Sequence, residues 1–552
     1  MLHPLKAWAL GLLLAVGLVS APVVSPDLGA VPQSATQRVL SAVERNVADS
    51  AAWSLTPGQK AAISGGYVPV YSCNYLAGAF CGGEVYSTTS LRTIQTPIGI
   101  TYAPNNLLTY SNTFTNAAWG TNGTVTLSYG VADPFGGLTA TTFTAGSANA
   151  YIVNSASAAL PGNVLKSIWI RRRTGTGAAR FYNHNNTLIP LTFTSSWTQV
   201  YDVGQCGSGG NYVVVQLDVS GDAVDIYAAV DSAVTYETTP SQRPLDQQTT
   251  LGAQFFGAAF DDDSTGAPLG LRVQEPRTNL FLNSNAPATQ TITVASGSAY
   301  SISFYGTGVL TLSGALTQVM TGSAYPTRTT YTGTTATTTL VATVTTLGAM
   351  SYPQVELGGF ATSAIPTGAS PVTRAADVVG IVGQALGVLK GSQGAAFVDW
   401  ISAPNGTITS GLLGTDSSIS YINGVNISAF HGSTLNVGTN GATQGPGKEF
   451  RWGLSWSAAG RMASVIGVSP SKDANAAFGT VTVGYLGSWG NGYYLNGYIR
   501  KSAFYNVALP APVLQRSTLL TTKLAMDDPA NDNTMFAVND NEPEWLKIVS
   551  AR

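Results

Sequence analysis

The chain has 552 residues, of which 44% are hydrophobic and 10% are charged, with a formal net charge of −2. This hydrophobic content argues against a disordered chain, and the near-neutral charge argues against a nucleic-acid partner. The length predicts several domains, each able to bury its own core.

The first 21 residues have the composition of an apolar leader or anchor. They contain one lysine, an apolar run from Ala7 to Val19, and small residues at Ser20 and Ala21. This is the pattern of a signal peptide, and the run is short for a membrane span. Pro22 directly after Ala21 is a poor cleavage context, so a retained anchor is the open alternative.

Residues 22–104 predict an N-terminal attachment region. A short helix is expected over 36–48, where apolar residues recur at helical spacing. The segment "SCNYLAGAFCGG" follows, and its two cysteines, Cys73 and Cys81, could close a local disulfide in an oxidising compartment. Without further ligands nearby they make a poor zinc site.

From residue 105 onwards the pattern is that of short β-strands. Segments such as "GTVTLSYGV", "KSIWIRR" and "NYVVVQLDV" are rich in β-branched and aromatic residues, and Gly and Asn clusters separate them. The predicted fold class is all-β, with tandem β-sandwich or jelly-roll modules and a short N-terminal helical region. The predicted units after the attachment region are a β-sandwich at 105–244, a connector at 245–277, a second β-sandwich at 278–378, a third strand-rich region at 379–520, and an acidic tail at 521–552.

One short motif occurs twice. "NLLTYSN" at 106–112 is echoed by "NLFLNSN" at 279–285, 173 residues later by numbering. This period is too long for a solenoid, so the echo predicts one type of module used twice.

The connector and the flanks of the second module carry a resemblance. "FDDDSTGAPLGLRVQEPRTNLFLNSN" resembles the connector before carbohydrate-binding-like modules in virion proteins of tailed bacteriophages, and "QVELGGFATSAIPTGASPVTRAADV" resembles the exit of such a module. Ala364 stands where that pattern usually has Tyr. In the third region, "LNGYIRKSAFYN" is similar to a strand of concanavalin-like (laminin-G-type) jelly rolls.

The resemblance implies a subunit of a tail fibre, tail spike or head fibre that is located in the virion. It implies a homotrimer whose partners are other virion proteins and a host-surface polysaccharide or glycan. Two alternatives stay open: a structural spacer or capsid decoration protein, and a secreted bacterial adhesin or polysaccharide-degrading enzyme. A working signal peptide would place the protein outside the cell or on its surface.

Catalytic patterns are sparse. The three histidines, His3, His184 and His431, lie outside any metal-binding motif, and no G-x-S-x-G sequence is present. Asp399 and Glu449 have no spacing that would pair them as the carboxylates of a glycosidase. We therefore expect a protein without catalysis, cofactor or metal ion. The acidic run at 261–263 is expected to be a solvated turn.

Sugar binding requires only flat aromatic faces and uncharged hydrogen-bonding groups. The Gly-rich loop "GSWGNGYY" at 487–494 supplies both, with Trp489, Asn491 and Tyr493 as predicted ligand-binding residues. Trp119, directly after a first strand, is a further candidate. The tryptophans inside strand patterns are expected to be structural: Trp169, Trp197, Trp400, Trp452 and Trp456.

Overall fold

The structure is a computed structural model, and its described residues all belong to the unit that spans Ala61–Arg552. The described residues are 69–156, 163–205, 211–234, 252–401, 410–416, 419–423, 426–431, 433–438, 449–466, 468–475, 478, 480–489 and 493–518. The predictions for the leader, the helix at 36–48 and the acidic tail lie outside them. In the part of the chain that is described, no helix is both long enough and apolar enough to cross a membrane.

Antiparallel β-strands are the dominant regular structure of the described chain, which confirms the all-β prediction. The helical elements in these residues are short: a 3-10 turn at Tyr75–Ala77 and α-helices at Gly383–Lys390 and Ala511–Ser517. The sheets form three sandwiches, which we call the first, second and large sandwich.

The first sandwich has two five-stranded sheets. One sheet has the order Thr198–Gln205, Asn163–Thr174, Ala223–Val234, Ala140–Ala145, Val125–Val131. The other has the order Leu188–Pro190, Ala179–Tyr182, Asn211–Leu217, Ala150–Ala156, Gly120–Asn122. Alternating residues such as Ile168, Ile170, Phe181 and Val215 fill the space between the sheets.

The second sandwich is smaller. Its four-stranded sheet has the order Gln290–Thr293, Thr339–Thr346, Val309–Gly314, Gln318–Thr321. Its three-stranded sheet has the order Arg328–Thr334, Ala299–Tyr305, Ser351–Leu357. Phe281, Ile302, Phe304 and Leu310 form the centre of its core.

The large sandwich is assembled from distant parts of the chain. One sheet has the order Phe260–Asp262, Pro268–Val273, Gly497–Tyr505, Gly394–Ile401, Glu449–Ser457, Gly460–Val465, Ser471–Asp473, and Tyr71–Asn74 also pairs with Gly497–Tyr505. The other has the order Glu84–Ser87, Val378–Ile381, Gly484–Leu486, Ser410–Thr415, Ile419–Asn423, Asn426–His431, Ser433–Gly438. The predicted attachment region and connector thus both supply strands to the sandwich of the third region. The first and second sandwiches are inserted between those strands.

Four two-stranded ribbons complete the described β-structure. They are Thr93–Thr96 with Gly99–Tyr102, Asn105–Asn106 with Phe255–Phe256, Arg277–Asn279 with Val372–Arg374, and Ser488–Trp489 with Tyr493–Tyr494.

Next to the first strand of the large sandwich, Cys73 and Cys81 form a disulfide with their Cα atoms 5.5 Å apart. Trp400, Trp452 and Trp456 are buried in the core, as expected.

The repeated motif has the same structural role in both inserted sandwiches. Asn106 and Asn279 are fully buried. In the first sandwich, Asn106 Nδ2 donates to Ala229 O (3.0 Å), and Asn106 Oδ1 accepts from Asp231 N (3.3 Å). In the second, Asn279 Nδ2 donates to Pro353 O (3.1 Å) and its Oδ1 accepts from Val355 N (3.1 Å).

The equivalence extends along the motif. Leu107 N and Leu280 N donate to Asp231 O and Val355 O respectively. Four residues after each asparagine, Tyr110 and Asn283 have positive φ angles of 50° and 52°. The echo therefore encodes a side-chain clamp that fixes the entering chain to the last strand of each sandwich.

A buried polar junction joins Arg92, the strand Pro268–Val273 and the segment 363–377. Arg92 donates to the Asp377 carboxylate, and both side chains are 0–1% exposed. Arg272 pairs with Asp261 at 2.6 Å, and Arg374 donates to Ser363 Oγ at 2.9 Å. Asp261 is thus buried in an ion pair, so the expectation of a solvated turn was wrong for this residue.

Candidate functional site

The predicted site residues lie in two different places. Trp119 is 4% exposed in the core of the first sandwich, where its ring centroid lies 4.7 Å from that of Phe114. Its Nε1 donates to Tyr110 O at 2.9 Å. These contacts account for Trp119 as a packing residue. Asn491 lies outside the described residues.

Trp489 and Tyr493 face each other across the ribbon formed by Ser488–Trp489 and Tyr493–Tyr494. Their rings are stacked, with centroids 5.7 Å apart and planes at 19°. Trp489 Nε1 donates to Thr415 O at 2.7 Å, which fixes the indole, while Tyr493 is 40% exposed. The ribbon therefore presents a rigid aromatic stack with one ring accessible to solvent.

A second aromatic surface lies on the outer face of the first sandwich, and the strand Asn163–Thr174 explains it. Ile168 and Ile170 point into the core, so the intervening Trp169 points to the outer face. Trp169 packs there with Tyr227 and with Trp197 in a small cluster outside the main core. We call this surface, together with Phe135 and Arg171, the outer aromatic patch. Trp169 and Trp197, which were expected to be structural, pack in this cluster and are also partly exposed.

A loop fixed by hydrogen bonds to Asp133 places Phe135 against the other rings of the outer aromatic patch. Phe135 is 62% exposed, yet its ring contacts Trp169 and Tyr227 edge-on, at centroid distances of 5.6 and 6.0 Å. Asp133 holds the loop: its Oδ1 accepts from Phe135 N (2.9 Å) and Gly137 N (3.0 Å). The part of the Phe135 ring that faces solvent contributes no hydrophobic stabilisation to the fold. Its defined position is therefore typical of a binding surface.

Charged groups border the rings. The Arg171 guanidinium lies 4.7 Å from the centroid of the Trp197 ring, a cation–π contact. Arg171 Nε also donates to Asp225 Oδ2 at 2.8 Å, and the exposed Arg173 pairs with the same carboxylate at 3.2 Å. The surface thus combines partly exposed rings with guanidinium donors that a buried carboxylate holds in place.

The loop under Phe135 should be sensitive to acid. Burial raises the pKa of Asp133, but hydrogen bonds from Thr139, Phe135 and Gly137 outweigh it, so the pKa lies below its ordinary value of 3.8. The stabilisation by this carboxylate is therefore present above pH 3.8 and is lost as the pH falls through the depressed folded-state pKa. We expect the Phe135 amide signal of selectively labelled protein to shift in that acid range. An Asp133→Asn variant is the control: an equal step in this variant would contradict the assignment.

A cleft of about 610 Å³ lies where the second sandwich meets the large sandwich. It is lined by Tyr305 and Arg328 on one side and by Asp261 and Tyr498 on the other. Tyr498 donates to Asp261 Oδ2 at 2.8 Å, and burial together with Asp261 raises the pKa of Tyr498. Ala364 also lines the cleft. Tyr305 donates to Gln95 Oε1 at 3.0 Å and Arg328 donates to Ser303 Oγ at 2.7 Å, so the polar groups on both sides of the cleft are engaged by other protein groups, which indicates a structural role.

The carboxylates considered for catalysis form ion pairs. Asp399 pairs with Arg451 at 2.8 Å, and Glu449 pairs with Arg500. Among the described residues, no group of three or more His, Cys, Asp or Glu side chains is arranged to hold a metal ion. His184 is paired with Asp202 in the first sandwich.

No protein-family model matches this chain. No curated protein sequence matches it either. Solved structures with partial similarity include the CBM40 module of the Ruminococcus gnavus IT-sialidase bound to α2,3-sialyllactose (14% identity, 24% of this chain, 86% of that chain, TM-score 0.21). Another is the CBM22-1 xylan-binding domain of Paenibacillus barcinonensis Xyn10C (14% identity, 24% of this chain, 98% of that chain, TM-score 0.20).

The enzymatically active domain of tailspike protein 4 from bacteriophage CBA120 is also similar, at 16% identity over 22% of this chain and 20% of that chain, with a TM-score of 0.18. The structural neighbours of this chain thus include carbohydrate-binding modules and a phage tailspike domain. At these TM-scores the similarities carry no argument about function.

Proposed function

We propose that this chain is a non-catalytic adhesion protein of a phage particle that binds host-surface glycans. The observation that carries the proposal is the outer aromatic patch, where Phe135 is held in solvent above partly exposed indoles. Aromatic faces bind the apolar faces of pyranose rings, and the partly exposed guanidinium of Arg171 lies beside them to donate to hydroxyl groups, while the buried Asp225 holds it in place. The stack of Trp489 and Tyr493 is a second platform of the same chemistry.

The virion role rests on the phage-like motifs. The segments that resemble phage proteins, around Arg272 and Arg374, meet in the buried junction that holds the sandwiches together. A trimer on a particle would repeat each platform, and linked weak sites gain affinity because later contacts are effectively intramolecular. The absence of catalysis is part of the proposal, and the engagement of Asp399 and Glu449 by arginines supports it.

A glycan array followed by calorimetry tests the proposal. Purified chain should be retained by at least one host-surface glycan, and Phe135→Ala should weaken that binding roughly tenfold, since an aromatic contact contributes about 1–1.5 kcal/mol. Leu347→Ala, at another exposed apolar residue, which lies in the second sandwich, is the matched control and should bind like the unmodified chain. The double variant Trp489→Ala/Tyr493→Ala examines the second platform in the same assay.

The outcomes separate the alternatives. Retention by no glycan and no host envelope fraction would favour a structural spacer. Unchanged binding in Phe135→Ala would remove the outer aromatic patch from the proposal. If host polysaccharide becomes shorter after incubation with the protein, the protein is an enzyme and the proposal of a non-catalytic adhesin fails.

A further inference from the structure

Lys166 is an unusual residue of the first sandwich. Its side chain points between the two sheets and is 0% exposed. Lysine is almost never fully buried without a specific partner, because its charge is costly to remove from water. A lysine amine that has given up its proton is a nucleophile.

The partners of Lys166 lie on the opposite sheet. Its Nζ donates to Asn183 O at 3.0 Å and to Asn186 Oδ1 at 2.8 Å. Both asparagines belong to the turn that joins Ala179–Tyr182 to Leu188–Pro190. A carboxamide C=O bond is about 1.23 Å long, so the Asn186 Cγ is within about 4 Å of the amine nitrogen. This is close to the separation from which a bond can form.

A carboxyl group lies directly beside this pair. Asp231 is the register partner of Lys166 on the neighbouring strand and is also 0% exposed. Its Oδ1 accepts from Asn211 Nδ2 at 2.7 Å, whereas its Oδ2 has no hydrogen-bond partner in the described chain. Burial raises the pKa of Asp231 to about 6, although Lys166 and Asn211 lower it. This carboxyl group can therefore take up and release a proton near neutral pH.

The other neighbour of Lys166 is engaged elsewhere. Asp202 is its register partner on the strand Thr198–Gln205. Asp202 accepts from the His184 backbone N–H and pairs with the His184 ring. Of the two carboxyl groups flanking Lys166, Asp231 is the fully buried one with a free oxygen.

We propose that Lys166 and Asn186 form an intramolecular isopeptide bond, with Asp231 carrying the proton. The Lys166 ammonium first gives a proton to the Asp231 carboxylate. The neutral Nζ attacks Asn186 Cγ, and the Nζ–Cγ bond forms. The Cγ–Nδ2 bond then breaks, and Nδ2 leaves as ammonia after receiving a second proton from Nζ through Asp231. The products are an amide, one ammonia molecule and a protonated Asp231, so no oxidant or other reactant is needed.

The bond would covalently join the inner faces of two sheets that otherwise meet there through side-chain packing and hydrogen bonds such as that from Asn211 Nδ2 to Asp231 Oδ1. It links the strand Asn163–Thr174, the second of the five strands in its sheet, to the hairpin turn of the opposite sheet. The first sandwich also carries the outer aromatic patch, so the same domain would gain a covalent tie between its layers. The inference does not depend on glycan binding.

Peptide mapping of the reduced full-length chain by mass spectrometry tests the proposal. A branched peptide containing Lys166 and Asn186 is expected, lighter by one ammonia than the two linear peptides together, and trypsin should not cleave after Lys166. Lys166→Arg and Asn186→Gly should give only linear peptides. The glycine variant is a mild change because Asn186 has a φ of +57°.

Asp231→Asn tests the proton carrier. This variant keeps the volume of the side chain, and we expect the branched peptide to be absent or to form much more slowly. Full linkage in Asp231→Asn would overturn the role of Asp231. Only linear peptides from the unmodified, folded chain after prolonged incubation at neutral pH would overturn the bond itself.

Discussion

Replacing Asp377 with alanine should lower the free energy of unfolding by about 3–5 kcal/mol, because it leaves a buried arginine without its counter-charge. Asp377 Oδ1 accepts from Arg92 Nε and from the Tyr86 hydroxyl, and Oδ2 accepts from Gln274 N at 2.9 Å. Arg92 also donates to the carbonyls of residues 375 and 376, so it cannot turn towards solvent without breaking those bonds. Urea denaturation followed by circular dichroism measures the loss.

The matched control is Asp218→Ala. Asp218 pairs with Arg180 at 2.8 Å, but Arg180 is 37% exposed, so solvent screens the pair. We expect less than about 1 kcal/mol for this variant. A similar loss of unfolding free energy in both variants would mean that the Arg92–Asp377 pair is as exposed to solvent as the Arg180–Asp218 pair.

Asn279→Ala should destabilise the second sandwich on the order of 3 kcal/mol or more. The side chain donates to the carbonyls of Pro353 and Ile365 and accepts from the amides of Phe281 and Val355. All four backbone groups would lose a partner in a buried site, and an alanine methyl group cannot replace any of these bonds.

The equivalent Asn106→Ala should act in the same direction on the first sandwich, since Asn106 binds Ala229, Leu108 and Asp231. Asn122→Ala, on an exposed strand, is the control and should leave stability nearly unchanged. Melting followed by calorimetry measures all three. A neutral Asn279→Ala would show that the repeated motif is not a clamp.

Local patterns in the sequence predicted much of the fold. Alternation of apolar and polar residues indicated the strands, and the echo at 106 and 279 indicated a repeated module, because both signals depend on neighbours in the chain. The pairing partners could not be predicted in this way. A strand such as Pro268–Val273 has the same pattern whether it joins a nearby sheet or one completed by Gly497–Tyr505 more than 200 residues later.

The candidate site was only partly predictable. Trp489 and Tyr493 were predicted because a large ring on a Gly-rich loop is unusual, and Phe135 in "DPFGG" has the same signal but was not singled out. The alternation of Ile168, Trp169 and Ile170 already placed Trp169 opposite the core face. The solvent exposure of the Trp169 side chain could not be predicted, because it depends on which distant segments cover the outer face of the sheet.

The discontinuous large sandwich constrains how the chain reaches its final state during synthesis. Strands Tyr71–Asn74 and Pro268–Val273 leave the ribosome long before their shared partner, Gly497–Tyr505, exists. The two inserted sandwiches contain all of their own strands and can fold before Gly497–Tyr505 is available to those early strands. A fragment limited to 379–520 would contain Gly497–Tyr505 but lack the strands Tyr71–Asn74 and Pro268–Val273 that pair with it. The unpaired edge of this strand would then favour aggregation through strand pairing with other molecules.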